Sequence, residues 1–410
     1  MKLSLTQQII IGSILGIIVG YVVGPNVVYV KFMGDIFLRL VRVVVPILVF
    51  GAIVDAVTSV ELKDVGKIGV KTIAMFFTSS LIAGCIGMAT ITIFVKPTMV
   101  LEGVSTAAYT GFRISGNFAD LLVNFIPSNI VQSFAEGTLI QIIVFGVLLG
   151  VAIQKTKDRE DVNITQVLNG IKAMRALMMT IVTMFMVIAP YGIFAMIANV
   201  VGASGVQILR PLLQYVLTVT GANIVFFSLY TALVCVICRL NPIRLLWNVS
   251  RTMIVGVATT SSAMSLPTIM MDADERLGID RRVANFVLPL GNAINTNGAA
   301  VTTTIASVTC AYVFGIELTT QYIIMIVIFA TLATFGNTTV PGGGIVAVAV
   351  VFQMAGLPLE GVALFAGVDY FTGLTRIILN IVCDLYVAIL ISVSEGNLNR
   401  DIFYGKEQPV

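Results

Sequence analysis

Apolar runs of bilayer length recur along most of this chain, and only one solvent suits them. They fall at about 8–30, 36–60, 68–95, 119–153, 176–201 and 208–238, and the remainder, about 243–395, is apolar but interrupted by polar, glycine-rich and proline-containing patches. A helical span needs about 20 apolar residues, so the chain has room for roughly eight such segments plus shorter ones. Of its 410 residues, 58% are hydrophobic and 11% charged, with a mean hydropathy of +1.01. A water-soluble domain of this length needs far more polar surface. The chain is therefore expected to be a polytopic membrane protein.

Several classes drop out at once. A net charge of +3 offers no nucleic-acid patch. Cys85, Cys235, Cys238, Cys310 and Cys383 all sit in apolar runs, and no histidine exists. The lone C-x-x-C at Cys235 and Cys238 reads as small apolar fillers, because a metal site usually needs two more ligands. Disulfides are not implied. Lys2 precedes the run IIIGSILGIIVGYVVG, which has a signal-like look. No small-residue cleavage pattern follows and further spans do, so it reads as a retained first span.

Lysine and arginine alternate between connections. Lys63, Lys67 and Lys71 form one cluster, followed by Lys155, Lys157, Arg159, Lys172 and Arg175, then Arg239, Arg244 and Arg251, then Arg276, Arg281 and Arg282. The intervening connections hold only Lys31, Lys96, Arg113 and Arg210. The positive-inside rule puts the basic connections and the N-terminus in the cytoplasm, with the chain in the plasma (cell inner) membrane. Residues 97–118 and 154–172 read as surface linkers, and the segment after Glu395 as a loose polar tail.

Four polar interruptions stand out: Ala258 to Pro267 (ATTSSAMSLP), Pro289 to Ala300 (PLGNAINTNGAA), Phe335 to Gly344 (FGNTTVPGGG), and a last span bearing Asp369, Arg376, Asn380 and Asp384. Unwound backbone in a bilayer is tolerated only where protein buries it or water bathes it. Transporters use such broken segments to hold substrates and ions at mid-membrane, often in two related halves. The order here, polar tip, broken helix, polar tip, polar helix, has that form.

In the last span Asp369, Gly373, Arg376, Asn380 and Asp384 are spaced 4, 3, 4 and 4, which places them on one helical face. Ionisable groups in a span normally face a cavity or a partner. Arg376 stays protonated and offers a planar fork suited to a carboxylate. The alternative is a structural pair with Asp369 across two turns. Asn295 and Asn297 flank Thr296 in a glycine-bounded break, where their amide oxygens either bind a hard cation or satisfy nearby backbone. Ser261 and Ser262 either donate to a substrate carboxylate or bond their own helix. Met174, Met178, Met179, Met184 and Met186 read as packing, Asp272, Asp274 and Glu275 as a solvated cytoplasmic turn, and Trp247 as an interface anchor.

With these segments in view, the chain resembles the dicarboxylate/amino acid:cation symporters, a family that includes glutamate and aspartate transporters. GDIFLRLVRVVVPILVFGAIV looks like that family's second span, NFIPSNIVQSFAEGTLIQIIVFGVLLGVAI its fourth and APYGIFAMIA its fifth. TTSSAMSLP resembles the first hairpin tip, LPLGNAINTNGAA the asparagine–methionine–aspartate–glycine motif of span seven, VPGGG the second hairpin tip and GVDYFTGLTRIILNIVCD span eight. The resemblance implies an all-α elevator-type transporter fold of eight transmembrane helices plus two re-entrant helical hairpins, here about 243–276 and 319–353, assembled as a homotrimer. It implies scaffold segments at 1–65 and 110–205, transport-domain segments at 66–109 and 206–398, and a polar cytoplasmic tail at 399–410.

The resemblance also implies roles. Arg376 takes a substrate carboxylate and Asn380 the substrate's main carboxylate or amino end, with Ser261, Ser262, Thr338, Val340, Gly344 and Gly373 lining the site and Asp369 behind Arg376. Asp384, Asn295, Asn297, Gly291, Asn380, Thr78 and Ser79 contribute to sodium sites; no other cofactor is implied. Two positions depart from the family. Asn297 stands where the motif has an aspartate, and Thr296 where it has methionine. Gly373 stands where amino-acid transporters carry the aspartate that pairs with the substrate ammonium. A neutral amide binds a cation less well than a carboxylate, and an ammonium without its partner is desolvated for nothing.

The expected function is symport of small anionic carboxylates, C4-dicarboxylates first, with weakened or altered sodium coupling. Sodium- or proton-coupled uptake of glutamate or aspartate is the runner-up. A substrate-gated anion channel is the rival of another class, although polar residues are confined to the C-terminal part. An intramembrane hydrolase lacks a histidine, or a lysine near Ser261, to activate a serine. A structural or sensory protein has no need of two polar tips.

Overall fold

The computed structural model describes residues 5–58, 66–95, 123, 125–156, 163–334 and 343–407, and these are almost entirely helical, with no strand among them. That is what lipid demands, since a helix satisfies its own backbone. The spans are α1 (Leu5–Val23), α2 (Lys31–Thr58), α3 (Gly66–Phe94), the pair α4 (Ile130–Glu136) and α5 (Leu139–Thr156), the pair α6 (Ile164–Met186) and α7 (Ala189–Ser204), and α8 (Leu209–Cys238). Next come a helical hairpin, α9 (Pro242–Thr259) and α10 (Ser262–Glu275), and a broken span, α11 (Arg281–Ile294) and α12 (Asn297–Val313). A second hairpin, α13 (Thr320–Ala333) and α14 (Gly343–Ala355), leads through short α15 (Val362–Ala366) into α16 (Asp369–Ser394) and α17 (Arg400–Tyr404).

Six stretches are long and apolar enough to cross a membrane, among them Ile68–Phe94, Leu209–Cys238 and Asp369–Ser394. The first of the six, Gln7–Phe37, runs through α1 into the start of α2, whose later part carries Asp55. The α11–α12 pair is two half-helices that only together make a span. The fold is that of an all-α polytopic membrane protein.

The helices pack as two groups. In one, α2 lies against α5, α6 and α7, and α1 against α7. The α1–α7 seam rests on Gly12, Gly16 and Gly20, where an added Cβ would come within 2.5–2.8 Å of the carbonyl oxygens of Pro190, Phe194 and Ala198. Small residues at this spacing let membrane helices approach closely. In the other group α12 packs on α3, α8, α13, α14 and α16, and both α9 and α11 pack on α16. Every residue of α12 except Tyr312 is buried, although the helix carries Asn297, Thr302, Thr303, Thr304, Ser307 and Thr309. A polar helix enclosed by other helices marks the interior where ligand chemistry is affordable.

The structure corrects four sequence readings. Helix α6 begins at Ile164 inside the expected linker, and Arg175 and the still exposed Lys172 pair with Asp55 of α2. Asp272 is no solvated turn: it is fully buried and accepts from Arg251 Nε at 2.6 Å, Thr252 N at 3.0 Å and Thr252 Oγ1 at 2.5 Å. The helical phase turns it toward α9, while Glu275 is exposed. The segment after Glu395 is not loose, since α17 forms there and Phe403 is fully buried. The methionine stripe is split, with Met178 and Met179 packed inward and Met174 and Met184 exposed. Trp247 is exposed, and Cys235 and Cys238 are buried, as their reading as apolar fillers expects.

Candidate functional site

The first hairpin turns at Thr260, whose φ of 49° is left-handed and whose N–H bonds Gly256 O at 2.8 Å. Ser261 then caps α10 by accepting from Met264 N at 3.4 Å. Its carbonyl accepts from Ser265 Oγ at 2.8 Å. Ser261 and Ser262 are both buried. The second hairpin's turn, with Thr338 and Val340, lies outside the described residues. Its outgoing helix α14 brings Gly344 against Arg376 so closely that any Cβ would fall on the guanidinium.

Arg376 donates from Nη1 to Asp369 Oδ1 at 2.7 Å and from Nη2 to Asp369 Oδ2 at 3.3 Å. The pair between Arg376 and Asp369 is thus present, with side chains 12% and 13% exposed. It is an end-on pair that uses one N–H on each Nη, so other guanidinium N–H groups remain for a ligand. Among the described residues, a Cβ on Gly373 would meet only Arg376, with Nη2 at 3.3 Å and Cζ at 4.0 Å.

The broken span meets α16 at the next turn. Gly298 N donates to Asn380 Oδ1 at 2.9 Å. That bond fixes the Asn380 amide: its oxygen faces α12, and its NH2 is the group left to face a ligand. Close approach is again required, since a Cβ on Gly298 would collide with the Arg376 carbonyl.

One turn deeper, Asp384 is 1% exposed and accepts from Asn295 Nδ2 at 2.8 Å. Gly291 lies beside it, where a Cβ would come within 2.5 Å of Asp384 Oδ1. Ser79 Oγ lies 3.3 Å from both Asn295 Oδ1 and Asn297 Oδ1, with Phe76 O at 3.0 Å competing for its single proton, and Asn297 Oδ1 accepts from Ser80 Oγ at 2.8 Å. Asn297 is fully buried, and its Nδ2 has no hydrogen-bond partner among the described residues. A buried carboxylate is the oxygen ligand a hard cation prefers, so Asp384 can serve one, although the group now bonded to it is the Asn295 amide N–H2 rather than a second oxygen. The surroundings of Asn297 fit less well, because an amide N–H2 stands where anionic oxygen is wanted.

This geometry moves the α3 pair by one residue. Thr78 and Ser79 were the expected partners, but Thr78 is exposed while Ser79 and Ser80 are buried against the asparagines. Successive helical residues turn by about 100°, so only one adjacent pair can straddle the inward face. Replacing Ser80 with alanine is expected to weaken cation activation of uptake about three- to tenfold, from one lost buried hydrogen bond. Thr78→Val should stay within about twofold. Equal effects of the two variants on the cation dependence of uptake would place the pair elsewhere.

A polar hairpin tip, a broken span and a charged final span enclosed by helices are the features of a membrane transporter. The sodium:dicarboxylate symporter family model matches residues 5–394. A proton/sodium-glutamate symport protein of Geobacillus stearothermophilus is 30% identical over 411 residues, covering 98% of this chain and 96% of the relative. A C4-dicarboxylate transport protein of Bacillus subtilis (strain 168) is 30% identical over 410 residues, covering 97% and 95%. A C4-dicarboxylate transport protein of Anaeromyxobacter sp. (strain K) is 28% identical over 406 residues, covering 97% and 91%. The chain belongs to the sodium:dicarboxylate symporter family.

Proposed function

We propose that this protein is a cation-coupled symporter of C4-dicarboxylates such as succinate or malate. The observation that carries the reading is the sign of the groups around Arg376. Asn380 has its oxygen occupied by Gly298 N–H, both oxygens of Asp369 are engaged by Arg376, and position 373 has no side chain. Among the described residues, what these groups leave for a ligand is donors, from Arg376, the Asn380 amide and the Ser262 hydroxyl. Donors match a molecule whose polar atoms are all acceptors, and leave the ammonium of an amino acid unpaired and desolvated.

In this reading Arg376 and Asn380 hold the two carboxylate ends with Ser261, Ser262, Gly344, Thr338 and Val340, and Asp384 with Gly291 and Asn295 holds one coupling cation. Asn297 weakens a second cation site beside Ser79 and Ser80. The helices α3 and α8–α16 form the moving transport domain, and α1, α2 and α4–α7 the scaffold of a homotrimer in the cell inner membrane, with the N-terminus cytoplasmic. Uptake of labelled succinate into proteoliposomes tests the reading. Unlabelled malate is expected to compete at least about tenfold better than glutamate or aspartate. Glutamate uptake without succinate uptake would refute it and favour the acidic amino-acid alternative.

A further inference from the structure

The polar stretch after α16 carries a single fully buried aromatic, Phe403, and a dense set of bonds to the cytoplasmic base of the first hairpin. The Phe403 carbonyl accepts from Arg244 Nε at 3.1 Å and from Asn248 Nδ2 at 3.0 Å, both on α9. Asn248 is itself 2% exposed and also donates to Arg276 O at 2.7 Å, just past the end of α10. Asn399 N donates to Gly278 O at 2.8 Å. Gly278 has a φ of +63°, and a Cβ there would run into the Asn399 carbonyl. Arg400 reaches the other way, donating to Cys238 O at 2.8 Å and Arg239 O at 3.2 Å at the end of α8.

We propose that α17 is a positioning element for the first hairpin. It ties the hairpin's two arms and the loop after them to the end of α8, so that the hairpin moves with its domain and does not splay. Buried Asp272, bonded to Arg251 and Thr252 across the hairpin, continues the same brace toward the tip. Backbone carbonyls at helix ends have no intrahelical partner. Here Cys238 O and Arg239 O, at the end of α8, receive theirs from Arg400, and Arg276 O, past the end of α10, receives its own from Asn248, which also donates to the Phe403 carbonyl, so loosening the brace unsettles two helix ends together. The consequence for transport is that Ser261 and Ser262 are held at a fixed distance from Arg376. This part rests on the proposed ligand role of the two serines.

Hydrogen exchange of the full-length protein in lipid nanodiscs tests the brace without any substrate. Phe403→Ala and Asn248→Leu are expected to speed exchange across Pro242–Glu275 about tenfold or more, leaving α13, α14 and α16 unchanged. Phe403→Leu, which refills the pocket, should restore most of the protection. Succinate binding by the same variants reads the positioning, and the dissociation constant should rise several-fold, about three- to tenfold. Unchanged exchange in the hairpin, or equal acceleration in every helix, overturns the proposal. If Phe403→Ala does not fold, Asn248→Leu decides, since it leaves Phe403 seated. If the unmodified protein binds no succinate, the proposed substrate fails while exchange still decides the brace.

Discussion

Gly373→Asp is expected to shift preference from dicarboxylates toward glutamate and aspartate by about 100-fold in relative uptake efficiency. Among the described residues the space exists, because a Cβ at this position meets only Arg376, with Nη2 at 3.3 Å and Cζ at 4.0 Å. The new carboxylate would lie one turn from Asp369 on the ligand face of α16. It would supply the acceptor that an α-ammonium lacks and would repel the second carboxylate of succinate, so attraction and repulsion act in the same direction. Breaking a buried charge pair costs about 3–5 kcal/mol, and a hundredfold effect is about 2.7 kcal/mol, so the shift asks for only part of one such pair. The measurement is the ratio of glutamate to succinate uptake efficiency, normalised to protein in the membrane. An unchanged ratio would mean that another group reads the amino end.

Asn297→Asp is expected to create a requirement for a cation. The side chain is fully buried, with Ser80 Oγ at 2.8 Å and Ser79 Oγ at 3.3 Å from its oxygen and, among the described residues, no hydrogen-bond partner on its nitrogen. Exchanging that nitrogen for anionic oxygen leaves a buried carboxylate with two hydroxyl donors and no counter-charge. Without sodium the variant should lose about 3 kcal/mol of stability, and sodium should restore it by binding the folded state. Sodium activation of succinate uptake should become steeper, with the Hill coefficient rising by about one. Thermal melts in sodium against choline, with uptake measured in the same buffers, provide the check. Insensitivity of both to sodium would show that Asn297 does not border a cation site.

Much of the architecture was legible in the residues. Lipid forbids unsatisfied backbone, so long apolar runs meant helices, and the glycine- and proline-bounded patches TTSSAMSLP and NAINTNG marked where helices stop inside the protein. The 4, 3, 4, 4 spacing in the last span placed Asp369, Gly373, Arg376, Asn380 and Asp384 on one face, because helical periodicity is local.

What lies across from a face is not local, and there the sequence was silent or misleading. Thr78, Ser79 and Ser80 are chemically near-equivalent in the chain, and only the phase of α3 against α12 selects the last two. Asp272 looked solvated among Asp274 and Glu275 until α9 supplied Arg251 and Thr252 as partners. Asn380 can present either end of its amide, and the choice is made by a backbone N–H from Gly298, 82 positions away in the chain. The polar composition after Glu395 suggested a free tail, yet one buried phenylalanine, the bonds its carbonyl accepts from Arg244 and Asn248, and the bonds from Arg400 to the carbonyls that end α8 dock it. The sequence by itself determined a helical membrane transporter and the residues it can use. Tertiary structure decided which of their donors and acceptors are already satisfied within the protein, and therefore which remain for a ligand.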